Sequence, residues 1–242
     1  MRLLCEVFDL DYGRAQGIFF TEPMYDLNRK WALFDNGEMV SILTNVPLEF
    51  GWGRAIGIAG VATKESRRGQ GLAGELLNCV MDVSARNGET GALLFAKETV
   101  VYDRSGFKTL DMVVRGTVAA AYEEDRAPIL GFVEARQLYD AWSCANPNRL
   151  RRDEKRWNYW KWNLRVCTAH EGGYLCVEGS ILREAVLPRA TADWPVGGLT
   201  EWFGLKSMAT QLGLTLEAPR EELYLMGRNI PAIPQMFMTD QF

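Results

Sequence analysis

The sequence predicts an α/β fold built around a mixed central sheet, and three observations support this. Two strand candidates within residues 31–46 flank Asn36-Gly37, a dipeptide typical of a tight hairpin turn because it tolerates positive φ. A strand over 55–63, a helix and an apolar strand over 92–96 then follow in order, which implies parallel pairing through a crossover helix. The second half of the chain alternates helices and strands again.

The helix between these two strands has the clearest periodicity. Leu72, Leu76, Val80 and Val83 recur at steps of three and four residues, which is the spacing of one helical face. Asn87-Gly88 supplies the signal that ends it. The other elements predicted in this half are a partly helical segment over 14–28, a short helix over 99–104 and a strand over 112–118.

A change of composition near residues 119–128 predicts a domain boundary, which divides the chain into domains 1–120 and 121–242. In the second domain, the helix that carries Trp157 and Trp160 is dense in aromatic residues, and core packing accounts for it better than a cation-binding cage. The remaining predicted elements are helices over 131–143, 152–166 and 199–212 and strands over 173–177, 180–187 and 222–227.

Composition excludes several classes of protein. The net charge of −4 gives no electrostatic argument for nucleic-acid binding, and no run approaches the ~18 apolar residues of a membrane span. The five cysteines are scattered and form no C-x-x-C pair, which argues against a disulfide framework and a zinc site. The single histidine, His170, leaves little room for a Ser-His or Cys-His nucleophile. We expect a cytoplasmic protein without a metal.

The segment from Arg68 to Ala73 predicts a phosphate-binding loop between a strand and a helix. The first N–H groups of a helix have no internal partners, and the helix dipole adds partial positive charge there. Gly69 and Gly71 carry no side chain that would block a pyrophosphate, and Arg67 and Arg68 add positive charge. The residues assigned to this loop are Arg67, Arg68, Gly69, Gln70, Gly71, Leu72 and Ala73.

Two other phosphate-binding loops fit this segment less well. A Walker loop requires Gly-Lys-Ser/Thr, which is absent. The spacing Gly69-x-Gly71-x-x-Gly74 does match a dinucleotide-binding turn, but a hairpin and a further strand precede it, together with an arginine pair. A dinucleotide-binding oxidoreductase therefore remains as a weaker alternative.

Two motifs, in this order along the chain, resemble motifs of the GNAT acetyltransferase superfamily. Arg68-x-x-Gly71-x-Ala73 is similar to its R/Q-x-x-G-x-G/A signature, and Tyr102 to Phe107 resembles its Y-x-x-x-G-F element. One helix and one strand separate the two motifs, as in that fold. The segment from Ile58 into Gly69 further resembles the tandem "enhanced intracellular survival" type, in which a degenerate GNAT domain follows the active one. At 242 residues, the chain is expected to lack the sterol-carrier-like third domain of that type.

The resemblance implies acetyl-CoA as the acyl donor. In this superfamily the strand before the loop splays from its parallel neighbour, and pantetheine bonds to the backbone of that strand. The corresponding residues here are Val61, Ala62 and Thr63, and the end of the next strand, at Glu98 and Thr99, would border the thioester.

Tyr102 resembles the general acid of the superfamily, and its ordinary pKa near 10 keeps it able to donate a proton at neutral pH. The base stays open between Glu98, the terminal carboxylate of Phe242 and a chain of water molecules.

These observations predict an N-acetyltransferase that acts on an amine by direct attack. Small amines, polyamines, amino acids and protein or peptide lysines all remain open as acceptors, and so does assembly into a homo-oligomer. The main alternative is a CoA-binding regulatory or interaction module without turnover.

Overall fold

The computed structural model describes residues 1–119, 128–163 and 165–242. Its seven α-helices are α1 (Arg2–Phe8), α2 (Tyr12–Phe19), α3 (Leu72–Arg86), α4 (Val100–Asp103), α5 (Phe132–Cys144), α6 (Glu154–Trp162) and α7 (Lys206–Leu212). Its strands are β1 (Lys30–Asp35), β2 (Glu38–Phe50), β3 (Gly53–Thr63), β4 (Glu89–Ala96), β5 (Lys108–Val118), β6 (Ile129–Leu130), β7 (Cys167–His170), β8 (Gly173–Glu178), β9 (Ile181–Val186), β10 (Glu201–Leu205) and β11 (Leu216–Arg228). These helices and strands are those of the described residues.

All these strands form a single mixed sheet in the order β1-β2-β3-β4-β11-β5-β10-β9-β8-β7-β6. β3 pairs with β4 in parallel, as β9 does with β10, and the other neighbours are antiparallel. The predicted mixed α/β sheet and the parallel pair across α3 are therefore confirmed.

β11 lies between β4 and β5, although it is the last strand along the chain. It pairs with Ala92 to Ala96 of β4 on one side and with β5 on the other. The two halves of the chain thus share one sheet. The division at residue 120 stays a prediction, and most of the segment that motivated it, residues 120–127, lies outside the described residues.

Two clusters of buried side chains make up the core. In the smaller one, Ile56 and Ile58 of β3 pack against α3 at Leu77 and Val80. The larger one joins Ala55 and Leu93 of the first half to the aromatic core of the second half. Because side chains alternate between the faces of a strand, α3 and the second half cover opposite faces of β3 and β4.

Two predicted helices were wrong in type or extent, and one helix was not predicted. Residues 199–212 were predicted as one helix, but Glu201–Leu205 forms β10 and only Lys206–Leu212 is helical. Trp202 and Gly204 are buried while Glu201 and Phe203 are partly exposed, the alternation of a strand. The helix predicted over 152–166 is shorter, Glu154–Trp162. No helix was predicted for Arg2–Phe8, which forms α1.

Two of the four aromatic residues of α6 pack in the core as expected, whereas Trp162 is exposed and Tyr159 is partly buried. Trp157 and Trp160 are buried, with ring centres 5.8 Å apart, and both also contact the ring of Phe132. Within the part of the chain that the structure describes, no helix is both long and apolar enough to cross a membrane.

Candidate active site

The glycine loop opens α3 with its N–H groups uncovered. Gly69 and Gly71 have φ of 76° and 80°, a left-handed conformation that side chains rarely adopt. No side chain caps the helix, and the space beside both glycines is open. The first backbone bond into the helix runs from Glu75 N to the Gly71 carbonyl. The N–H groups of Leu72 and Ala73 are therefore in the first turn, which has no partner inside the helix.

The two arginines of the loop contact neighbouring groups of the protein. Arg67 forms an ion pair with Asp35 of β1 at 2.7 Å, and its Nε donates to Gln70. Arg68 Nε lies 3.4 Å from the carbonyl oxygen of Thr63 at the end of β3. Both side chains thus fix the shape of the loop, and their positive charge stays at its edge.

β3 and β4 separate just before the loop. Their last paired residues are Ile58 and Leu94, so Val61 to Thr63 have no partner strand on the β4 side within the described structure. A bulge occurs at the same place, since Gly60 and Val61 together oppose Leu43 of β2, and Gly60 has φ of 57°. The residues predicted to bind pantetheine therefore line an open gap between two strands.

Tyr102 lies in α4, directly after β4. Its ring packs edge-on against Phe107 at 6.2 Å between ring centres, and burial raises the pKa of its hydroxyl. Its hydroxyl makes no hydrogen bond to another described residue, and it is not sealed from solvent. The group is thus a protonated phenol with a free donor.

The structure brings the two sequence motifs together. A Cβ built on Gly74, in the first turn of α3, would lie 3.3 Å from Ser105 Oγ. Arg228 of β11 bridges the two segments, because its Nη1 lies 2.7 Å from Asn78 Oδ1 and 3.0 Å from the Ser105 carbonyl oxygen. The sequence analysis missed Arg228, since nothing local marks a contact across more than 100 residues.

The other predicted residues lie around the end of β4. Thr99 caps α4 through its carbonyl oxygen, which accepts from the N–H groups of Tyr102 and Asp103. Glu98 is exposed and makes no hydrogen bond or ion pair to a described residue. The proximity of Glu98 to the thioester stays a prediction.

Phe242 packs on the face of β3 opposite α3. Its ring occupies the space that a side chain at Gly57 would need, with atoms 2.4–2.6 Å from a Cβ built there. It also contacts Phe95 of β4, with ring centres 5.4 Å apart. The last residue therefore lies where β3 and β4 begin to separate, a position that sequence alone could not supply.

A cavity of about 730 Å³ lies between α1, α2 and the sheet, and we call it the α1–α2 cavity. It reaches Ala59 and Gly60 of β3, beyond the last β3–β4 pair, and Phe242 forms part of its wall. The sequence analysis missed it, because α1 was not predicted and the cavity needs both helices. Within the described residues, no group of histidine, cysteine or carboxylate side chains is placed to hold a metal.

Comparison with known proteins gives one family match and several similar structures. Residues 1–110 match the model of the acetyltransferase (GNAT) domain family. A GCN5-related N-acetyltransferase from Kribbella flavida superposes with a TM-score of 0.70 at 17% identity, over 93% of this chain and 66% of that one. The chain has the GNAT fold. A search of curated proteins found no match.

Two further GNAT structures have the same fold. A GCN5-related N-acetyltransferase from Anabaena variabilis gives a TM-score of 0.63 at 13% identity, over 94% of this chain and 68% of that one. Eis1 from Mycobacterium abscessus gives a TM-score of 0.55 at 14% identity, over 88% of this chain and 70% of that one. The chain thus spans about two thirds of the length of these relatives. The mixed sheet of the GNAT fold is not the doubly wound parallel sheet of the dinucleotide alternative.

Proposed function

We propose that this protein transfers an acetyl group from acetyl-CoA to the nitrogen of an amine. The observation that carries the proposal is the gap between β3 and β4 after Ile58 and Leu94, which leads directly into the uncovered N–H groups of α3. A strand edge in this gap suits the amides of pantetheine, and the helix start suits a pyrophosphate. The GNAT match over residues 1–110 supports acetyl-CoA as the donor.

The site residues have distinct roles in this proposal. The backbone of Val61, Ala62 and Thr63 binds pantetheine, and the N–H groups between Arg68 and Ala73 bind the pyrophosphate. The amine nitrogen attacks the thioester carbonyl, the carbon–sulfur bond breaks, and the departing thiolate takes the proton of the Tyr102 hydroxyl. The proton lost from the amine goes to the terminal carboxylate of Phe242, to Glu98 or to water. The ring of Phe242 lies at the start of the gap, which supports a position of this residue near the donor.

The α1–α2 cavity is the proposed acceptor site. It reaches β3 at Ala59 and Gly60, and Phe242, which packs on the face of β3 opposite α3, forms part of its wall. A donor in the gap and an acceptor in the cavity would therefore meet at the strand edge, as direct transfer requires.

The test is calorimetry with CoA and acetyl-CoA, using a pair of glycine variants. Gly71 and Gly88 flank the same helix, both have φ of 80°, and both border open space. Gly71→Ala and Gly88→Ala should each cost about 1 kcal/mol of stability through backbone strain. Only Gly71→Ala should weaken CoA binding, by about tenfold or more, because its Cβ would enter the phosphate site.

The results separate this proposal from its alternatives. Absence of CoA binding by the parent protein, or equal CoA affinity in both glycine variants, would contradict the proposed site. Tight CoA binding without turnover of any amine would identify a regulatory CoA-binding module instead.

A further inference from the structure

The α1–α2 cavity has a wall that is mostly apolar and an apolar rim. Phe8, Leu10, Phe20 and Leu27 line it, yet their side chains remain 49%, 43%, 50% and 70% exposed. Single exposed apolar residues are ordinary on a protein surface, but four around one opening form a patch of the kind that binds apolar ligands. The patch belongs to α1, α2 and the turn that follows them.

Most of the charged groups on this wall are already paired. Arg29 donates to Glu89 at 2.8 Å, and Lys155 lies 3.3 Å from Asp26. Arg156 donates to the Pro47 carbonyl oxygen at 2.9 Å. These groups are engaged with the protein, so they offer little to the hydroxyls of a strongly polar ligand.

Glu22 and Lys30 differ from these pairs. Neither side chain makes a hydrogen bond or ion pair with another residue that the structure describes. Burial raises the pKa of the Glu22 carboxyl, and Lys30 opposes this shift. Burial also lowers the pKa of Lys30, whose Nζ lies 5.4 Å from the centre of the Tyr25 ring. The wall therefore holds one half-buried carboxyl that makes no hydrogen bond or ion pair with a described residue.

We propose that the acceptor is a lipophilic amine, whose alkyl or aromatic body fills the apolar α1–α2 cavity and whose ammonium form is received by Glu22. This inference rests on the proposed acetyl transfer and names its substrate class. A volume of about 730 Å³ is within the range of sites for drug-sized molecules. The apolar wall excludes polyhydroxylated amines and polyamines as preferred acceptors, because their polar groups would lose water without gaining partners.

The first test measures kcat/KM for a series of n-alkylamines from butylamine to octylamine, with spermidine, kanamycin and a lysine peptide as polar comparisons. Each added methylene should raise kcat/KM about fourfold until the cavity is filled, since burying one methylene contributes about that factor. Octylamine should exceed all three polar acceptors. A flat series, or a polar acceptor that exceeds octylamine, would overturn the inference.

The second test compares two exposed residues at the end of α2. Phe20 lines the cavity, whereas Ile18 is similarly exposed and does not. Phe20→Ser should raise KM for octylamine about tenfold and flatten the chain-length series, with KM for acetyl-CoA unchanged. Ile18→Ser should behave as the parent. Equal effects of the two variants would contradict the proposed wall.

Glu22→Gln tests the polar part of the site. It should raise KM for octylamine about fivefold by removing a charge-assisted contact, and leave CoA affinity unchanged. An unchanged KM would remove Glu22 from the proposal.

The CoA experiment separates the two proposals. If CoA does not bind, or no amine is acetylated, the proposed function fails and the inference fails with it. If CoA binds and polar amines are the better acceptors, only the inference fails.

Discussion

The first half of the protein leaves polar groups uncovered at α3, whereas the second half encloses its polar groups within the core. At α3, the N–H groups of Leu72 and Ala73 lie in the first turn, and no side chain caps them. In the second half, buried Arg152 lies 2.5 Å from Glu184 and 2.8 Å from Asp240, with its guanidinium carbon 3.8 Å from the centre of the Tyr139 ring. The start of α3 thus has backbone donors without a partner inside the described structure, whereas the carboxylates of Glu184 and Asp240 are held by a buried cation.

The buried cluster around Arg152 also holds the C-terminal segment. Asp240 belongs to a 3₁₀ turn, Met238–Asp240, two residues before Phe242. Arg152 and Arg156 both contact Asp240, and Tyr139 lies 3.4 Å from its carboxylate. The second half therefore anchors the segment that places Phe242 against Gly57.

The largest expected effect concerns the proton donor of the first half. Tyr102→Phe keeps the ring that packs on Phe107 and removes the hydroxyl, so kcat should fall about 10²- to 10⁴-fold while CoA affinity stays the same. Steady-state kinetics with octylamine would measure it, with Tyr12→Phe as the exposed control. Unchanged turnover would remove Tyr102 from the mechanism.

The next effect concerns the enclosed charges. Arg152→Met leaves Glu184 and Asp240 without their buried cation, which should cost about 3–5 kcal/mol of stability. Urea unfolding would measure the loss. Arg136→Met, which removes an exposed ion pair with Glu154, should change stability little. Similar stability for the two variants would contradict the difference drawn between buried and exposed pairs.

The smallest expected effect is on how the free energy of unfolding depends on pH, through Tyr174 of the second half. Burial, and then the charge of Glu184, raises the pKa of Tyr174 well above its ordinary value. The folded protein therefore keeps a proton that the unfolded chain loses near pH 10, so this contribution to stability is complete below that pH and declines above it. In Tyr174→Phe, the decline of unfolding free energy above pH 10 should be shallower by about 1.4 kcal/mol per pH unit. An identical slope in both proteins would contradict burial of this group.

Local patterns predicted most of the first half. The hairpin at Asn36-Gly37, the strand before the loop and α3 all depend on short-range signals, and each formed where it was predicted. Turn chemistry and helical periodicity act over a few residues, so a single sequence contains them.

Features that depend on distant contacts were not predictable in this way. Arg228, the ring of Phe242 against Gly57, and the wall of the α1–α2 cavity all unite residues that are far apart in sequence. The residues of β10 were predicted as part of a helix, but they pair with β5 on one side and with β9 on the other. Such pairing is a tertiary effect that overrides local preference.

The position of β11 has a consequence for the order in which the protein is made. β4 and β5 leave the ribosome about 100 residues before the strand that joins them, an interval of roughly 5–20 s at ordinary rates of translation. During this interval the edge of β4 that β11 later covers is available to other chains. A truncated product that ends after β5 would keep that exposed edge permanently. Nascent chains of this protein should therefore need protection from aggregation until their last strand is synthesised.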